Sequence, residues 1–577
     1  MRALADHLKE LQAAAGFEET LNVLIRTWDR DCVVDRLWKK DSSLWTGQDE
    51  DRWLGWLNVG TLAEPVDELL TLARDVRRSG VKDVVLLAIG GSSLGAEVLD
   101  HVLPDSEDSL PLHVIDTTDP AEIRRITSRL DIDSTLFVVS SKSGTTLEPT
   151  LLADHFLGLV ASRLRSGKPG ARFVAITDPG SPLDQLATAE GFSQVWYGRP
   201  SVGGRFSVLS NVGLVPISAC GIDVSPIVRR AADMAADCGS NVPVAMNPGV
   251  RLGLTLGLAA RQGRDKITLV LSPPLSALGS WLEQLLAESS GKQGCGLVPI
   301  VDEEVGRPSV YGDDRLFVYL RLKARPDRSQ DHALKCMANL GHPVVTLSLS
   351  DELDVGREFF RWQVATAVCC AVLEVNPFDQ PDVEVSKIAA RASTTACHSG
   401  VSFATCEPLA TLDAISLYAD PSNARSLLAV SGERAGVKDL LAAHLARLCV
   451  GDYFAVLAYI DRNPTHSSLL QRLRHTVRDS CKVATSVGFG PRFLHSTGQL
   501  FKGGPGTGVF LQVICDDVVD LHLPSPGHSF GAVKAAQALA DSRVLVERSR
   551  RLLTVHLGSN VGGGLTQLGE LVRSGLR

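Results

Sequence analysis

Short apolar runs alternate with helical stretches along most of this chain. A helical pattern over 63–78 is followed by almost wholly apolar runs at 84–89, 112–115, 136–140 and 172–176. Runs of that length without polar alternation suit strands buried on both faces, so they predict a parallel sheet covered by helices on each side. A mostly helical passage follows residue 204, and a second alternation, with strands at 267–271, 316–322 and 344–349, predicts a second sheet of the same kind. Beyond about residue 392 the pattern predicts a helix at 437–448, a strand at 453–460, a helix at 467–479 and a strand at 482–487. The first sixty residues read as helical and carry Trp28, Trp38, Trp45, Trp53 and Trp56. They hold no chemical motif and are expected to cover an interface or a domain edge.

The polar residues that interrupt this pattern gather at two strand ends. The run 135–139 leads into Ser140, Ser141, Lys142, Ser143, Gly144, Thr145, Thr146, Leu147 and Glu148, with a helix expected to begin near Thr145. Several hydroxyls and backbone amides then converge at one helix N-terminus, where a phosphate dianion is favoured by the dipole and the amides. Lys142 adds a cation, and Gly144 lets the backbone come close. A lone turn of this kind would more often be ordinary capping. The run 84–89 repeats the device, because Gly90, Gly91, Ser92, Ser93, Leu94 and Gly95 open a helix after it. The glycine spacing is not that of a dinucleotide fingerprint, and no Gly-Lys-Ser/Thr closes a P-loop.

These two segments, Ile89-Gly-Gly-Ser-Ser-Leu-Gly95 and Ser141-Lys-Ser-Gly-Thr-Thr146, together resemble the sugar-isomerase fold of glucose-6-phosphate isomerases. Four further segments share the resemblance. They are Gly203, Gly204, Arg205, Phe206, Ser207; Gln284 with Glu288, Ser289, Ser290, Gly291, Lys292; the segment 376–387 with Phe378, Asp379, Gln380, Val383, Glu384 and Lys387; and Phe493, Leu494, His495, Ser496, Thr497, Gly498, Gln499. The resemblance implies an α/β chain of two doubly wound parallel-sheet sugar-isomerase (SIS) domains with an additional α/β segment near the C-terminus. The expected division is a helical leader over 1–60, a first SIS domain with the phosphate loops over 61–240 and a second with the catalytic glutamate over 241–391. An inserted α/β segment over 392–487 and a C-terminal segment over 488–577, which carries the His-led helix and completes the core, follow. The His-led segment comes after Lys387, the reverse of the usual family order. That order resembles the isomerase part of bifunctional transaldolase/glucose-6-phosphate isomerases, although a transaldolase barrel of about 250 residues has no room in the leader.

The activity so implied is the reversible interconversion of glucose 6-phosphate and fructose 6-phosphate. One carboxylate can move the proton between C2 and C1 through a cis-enediolate, and Glu288, at the end of a helix over about 276–287, is the expected base. Arg205, always protonated, is suited to the charge on the enediolate oxygens. The resemblance assigns ring opening to His495 and Lys387, and imidazole titrates in the right range. Phosphate and sugar contacts are assigned to Gly91, Ser92, Ser141, Lys142, Ser143, Thr146, Gly204, Gln284 and Gln380. The chemistry requires no metal and no cofactor.

With 577 residues, 44% hydrophobic and 21% charged, the chain suffices for two α/β domains and a shared cleft. No apolar run reaches membrane-spanning length, and the reading is of a cytoplasmic enzyme. Twelve cysteines without Cys-x-x-Cys pairs indicate neither a disulfide framework nor a zinc site. A formal charge of −8 offers no basic surface for nucleic acid, so local groups such as Lys142, Arg205 and Lys387 must draw the anionic substrate. The reading leaves a homodimer open. Two other functions compete: the same fold acting on mannose 6-phosphate as well, and a sugar-phosphate-binding regulatory module. A mere sensor would have no use for a base and a cation at Glu288 and Arg205.

Overall fold

The computed structural model describes residues 11–13, 15–61, 66–103, 109–164, 167–383, 407–524 and 529–576, so Lys387 lies outside the described residues. The first sheet contains β2 (Asp83–Leu87), β3 (Leu112–Ile115), β4 (Thr135–Ser140), β5 (Phe173–Thr177) and β6 (Gln194–Tyr197) in the order β3-β2-β4-β5-β6. All of its pairings are parallel. Alternate residues of β2 serve different cores, as the two-residue period of a strand dictates. Val85 and Leu87 face a cluster with Phe137, Phe156 and Phe173, whereas Val84 and Leu86 belong to a larger core.

That larger core also contains Ile267, Leu269, Leu316 and Val318 of the second sheet. Its parallel strands are β7 (Lys266–Leu271), β8 (Val298–Ile300), β9 (Arg315–Leu322) and β10 (Val344–Leu349), ordered β10-β9-β7-β8. A short β1 (Leu11–Gln12) from the leader adds antiparallel to the β10 edge.

A third sheet of six strands is built from β11 (Ala410–Leu412), β12 (Ile415–Tyr418), β13 (Tyr453–Tyr459), β14 (Ala484–Phe489), β15 (Gly508–Ile514) and β16 (Arg551–His556). Its order is β11-β12-β16-β15-β13-β14, parallel from β16 to β14. The expected division into an insertion over 392–487 and a separate segment over 488–577 therefore cuts one sheet in two. The physical reason is edge satisfaction: β13 fills the backbone groups of one of its edges with β14 and those of the other with β15, so neither half is complete alone. The inward residues Tyr453, Ala455, Leu457 and Tyr459 pack with Ala287, Val298 and Ile300 of the second domain and with Phe493 and Leu500. Burial of the larger aliphatic and phenyl side chains among them, Leu457, Ile300, Leu500 and Phe493, contributes about 1.5–3 kcal/mol each.

The leader folds as helices Ala15–Arg30 and Val33–Trp38 followed by 3-10 turns. Its tryptophans grip both domains: the indole N–H of Trp45 donates to Ala367 O at 2.8 Å, that of Trp38 to Cys238 O at 2.9 Å, and the Trp56 ring lies 5.2 Å from that of Phe206. No helix among the described residues is long and apolar enough to cross a membrane.

Candidate active site

In open α/β sheets ligands bind beyond the carboxyl ends of the strands, where the strand order reverses. In the first sheet that point falls between β2 and β4, and the two Ser/Gly loops leave from these strands. A cleft of about 650 Å³ opens there, lined by both loops, by Gly203, Gly204 and Arg205, by Gln284 and Glu288, by 378–381 and by His495.

The first loop is a 3-10 turn, Gly90–Ser92, leading into helix Leu94–Val102. Gly90 has φ +60°, and a Cβ there would stand 2.9 Å from the His495 Cβ; a Cβ at Gly91 would meet the Gly204 carbonyl carbon at 2.3 Å. Glycine is needed at both positions because three segments from distant parts of the chain cross at backbone distance. In the second loop Thr146 is the N-cap of helix Leu147–Arg163, and its side chain makes no cap bond within the protein. Ser143 and Thr146 line the cleft, and so does Lys142, whose Nζ bonds Asp178 and donates to Pro200 O at 3.2 Å. Ser141, expected to touch phosphate, is buried beside the cleft-lining Thr146, and its hydroxyl donates to Thr146 Oγ1 at 3.3 Å.

Glu288 lies in the last turn of helix Leu278–Ser290. The helix runs past the expected end at 287, since Gly291 N still bonds Ala287 O at 3.0 Å, and Glu288 lines the cleft from its last turn. Its Oε1 lies 3.4 Å from Arg205 Nη1, and its Oε2 accepts from Gln284 Nε2 at 3.0 Å. The same Gln284 Nε2 donates to the His495 carbonyl at 2.7 Å, so one amide ties base and histidine together. Gln284 Oε1 is buried and has no hydrogen-bond partner among the described residues, which leaves an acceptor for a sugar hydroxyl.

Arg205 is 4% exposed and almost fully committed. Nε donates to Ser289 Oγ at 2.8 Å, Nη1 to Gln380 Oε1 at 2.9 Å, and Nη2 to Pro377 O at 2.6 Å and Asp379 O at 3.1 Å. A guanidinium has five N–H donors, so a single one, on Nη1, remains beside Glu288. The cation is thus fixed before any substrate enters, the condition for stabilising charge that develops later. Lys292 braces the same 376–379 stretch: its Nζ bonds the Ser289 carbonyl at 2.9 Å, the Asn376 carbonyl and Asp379 Oδ1 at 2.9 Å. Burial, reinforced by the Arg205 charge, pulls the Lys292 pKa down to about 8.

His495 closes the short 3-10 turn Arg492–His495 after β14. Its Nε2 lies 3.2 Å from Glu148 Oε1, which also accepts from Gln537 Nε2 at 2.7 Å; Gln537 Oε1 in turn accepts from Thr118 Oγ1 at 2.7 Å. A buried carboxylate so placed orients the imidazole toward the cleft. Glu148 follows the cradle directly in sequence, yet nothing local in that sequence points to a histidine 347 residues away. Asp49, Trp53 and Asp178 also line the cleft without having been anticipated.

The arrangement combines an anion cradle with a carboxylate, a fixed cation and an oriented imidazole, which suffices for proton transfer on a phosphorylated sugar. Comparison with known proteins agrees. The family model described as phosphoglucose isomerase matches residues 74–310. A glucose-6-phosphate isomerase of Rubrobacter xylanophilus is 30% identical over 382 residues, covering 58% of this chain and 87% of its own. One of Symbiobacterium thermophilum is 32% identical over 385 residues, covering 58% of this chain and 85% of that relative. A solved structure of a hypothetical protein from Thermus thermophilus superposes with a TM-score of 0.57 at 26% identity, covering 66% of this chain and 99% of that one. The chain belongs to the phosphoglucose isomerase family.

Proposed function

We propose that this chain is a glucose-6-phosphate isomerase that interconverts glucose 6-phosphate and fructose 6-phosphate, the aldose–ketose step shared by glycolysis and gluconeogenesis. The observation that carries the reading is the convergence of Glu288, Arg205 and His495 on one cleft that also holds a helix N-terminus flanked by Ser143, Thr146 and Lys142. The phosphate binds at the 141–146 turn, with Gly91 and Ser92 beside it. His495, oriented by Glu148, exchanges a proton at the ring oxygen while the sugar opens. Lys387 is proposed as its partner by family resemblance.

The Glu288 carboxylate then takes the proton from C2 and returns it to C1. The negative charge that builds on the two oxygens lies beside Arg205, whose rigid setting adds no reorganisation cost at that moment. Gln284 and Gln380 hold sugar hydroxyls. A charged, phosphorylated metabolite as substrate fits an enzyme of the cytoplasm. The test is a coupled assay in which fructose 6-phosphate is supplied and glucose 6-phosphate is consumed by a dehydrogenase. Turnover by the purified chain, lost in Glu288→Gln, is expected; no turnover by the unaltered chain would overturn the reading.

A further inference from the structure

The structure assigns sugar recognition to a pair from the N-terminal leader: Trp53 provides an aromatic wall for the sugar, and Asp49 fixes that wall. This inference rests on the isomerase reading above and extends it to residues outside 74–310, the stretch that the family model matches. Both side chains line the cleft that contains Glu288, Arg205 and the phosphate cradle.

The pair is held from three directions. Trp53 Nε1 donates to Asp49 Oδ2 at 3.0 Å, and Asn376 Nδ2 donates to Asp49 Oδ1 at 3.3 Å. The turn before it is pinned by Glu50, which is fully buried and accepts from Thr46 N at 3.0 Å, Thr46 Oγ1 at 2.5 Å and Gln48 N at 2.8 Å. After Trp53, Leu54 forms a bridge with Val202, and Gly55 N donates to Ser201 O at 3.0 Å. The leader is therefore fastened to the loop that runs from Pro200, the acceptor for the cradle Lys142, to Arg205. A sugar phosphate that reaches from the cradle to the Glu288–Arg205 pair runs past that loop, in the cleft that Trp53 also lines.

The chemistry suits a sugar. With its N–H taken by Asp49, the half-buried indole presents its ring to the cleft, and an aromatic face packs well against the C–H face of a sugar. The Asp49 carboxylate has lone pairs beyond the two bonds it accepts and can take a sugar hydroxyl. Inorganic phosphate, which has no C–H face, gains nothing from the indole. Trp53 is thus a determinant of sugar binding and leaves phosphate binding alone.

The experiment uses the full chain and the variants Trp53→Ala, Trp53→Phe and Asp49→Asn. It measures kcat and KM for fructose 6-phosphate and the inhibition constant of inorganic phosphate. Trp53→Ala is expected to raise KM by about 5–10-fold, with phosphate inhibition unchanged within about two-fold, and Trp53→Phe to recover most of the loss. Asp49→Asn, which leaves the indole less firmly held, should fall between. An unchanged KM in Trp53→Ala, or equal weakening of sugar phosphate and inorganic phosphate, overturns the inference; the second result would make Trp53 a structural residue only. Should Trp53→Ala fail to fold, Trp53→Phe supplies the reading. Fructose 6-phosphate should change the tryptophan emission of the unaltered chain, and a change retained in Trp53→Phe overturns the inference. An unaltered chain that does not turn over fructose 6-phosphate overturns the isomerase reading itself, a separate and recognisable outcome.

Discussion

At the cradle, Lys142 is shared between Asp178 and any anion that enters the cleft. Removing the cation and the N-cap hydroxyl together, in Lys142→Ala/Thr146→Val, should raise KM and the inhibition constant of inorganic phosphate by about 10–100-fold while kcat for bound sugar changes far less. Steady-state kinetics with both ligands checks this, and unchanged affinities would count against the cradle. Lys292 gives a pH dependence. Its pKa is lowered to about 8, so activity should fall above that pH as the ammonium that holds the 376–379 stretch and, through it, Arg205 is lost. Stability should move the other way. The folded pKa lies below the unfolded one, so the burden of a buried charge is present below about pH 8 and is relieved as pH rises toward the ordinary lysine value. A rate profile beside a melting curve over pH 7–10 tests both signs, and Lys292→Arg should remove the alkaline fall in rate. Glu288, Arg205 and the cradle hydroxyls were legible in the sequence because each sits in a short motif whose spacing carries its meaning. Glu148 and Asp49 were not, since their partners His495 and Asn376 lie 347 and 327 residues away.

Among the elements, the turn Gly90–Ser92 and helix Leu278–Ser290 do most to fix the cleft. The first must be glycine at its start, where φ is +60° and the His495 Cβ is 2.9 Å from a would-be Cβ. Gly90→Ala should therefore cost about 1–2 kcal/mol of stability through backbone strain and contact, and should lower kcat as well by pushing His495 away from Glu148. Thermal denaturation and kinetics of that variant would show it; a stable and fully active Gly90→Ala would mean that the two segments do not depend on each other. The nine strands expected from apolar runs lie within a few residues of those runs, since a buried parallel strand leaves a plain mark, whereas β1, β6, β8, β11, β12, β15 and β16 were not read. The catalytic helix runs on to Ser290, three residues past the expected end, because Ser289 and Ser290 look like a stop in sequence while Ser290 Oγ bonds back to Leu286 O at 2.6 Å and stays helical.

The whole molecule brings His495 to Glu288 from a sheet that the periodicity did not resolve as one unit. Strand pairings join β13 to β15 across helix Pro464–Cys481 and β14, and a sequence pattern shows strands but not their neighbours. Besides the bonds of His495 and Gln537 to Glu148, a buried ionic junction fastens this sheet to the first: Arg492 Nη1 lies 2.6 Å from Asp116 Oδ2, and Arg492 also pairs with Glu97, while Arg462 Nη2 approaches Asp116 Oδ1 at 3.4 Å. Burial alone would raise the Glu97 pKa, yet Arg492 and Arg462 outweigh it and hold it at about 2. The junction is therefore intact above the ordinary glutamate range and is given up as pH falls toward 2. Arg492→Met should cost on the order of 2–4 kcal/mol and shift His495, three residues on, so that melting temperature and kcat both drop. The central claim is that Glu288 carries a proton between C2 and C1 in the cleft made where these sheets meet. Its most direct test is isomerisation of fructose 6-phosphate in deuterated water, followed by magnetic resonance of the glucose 6-phosphate formed. The account predicts solvent deuterium at C2 in the product of the unaltered chain, and a rate lower by about 100-fold or more in Glu288→Gln. Deuterium enters through exchange of the proton held on Glu288 before its return, so a Glu288→Gln variant that still forms product at the original rate, deuterium at C2 included, would contradict it.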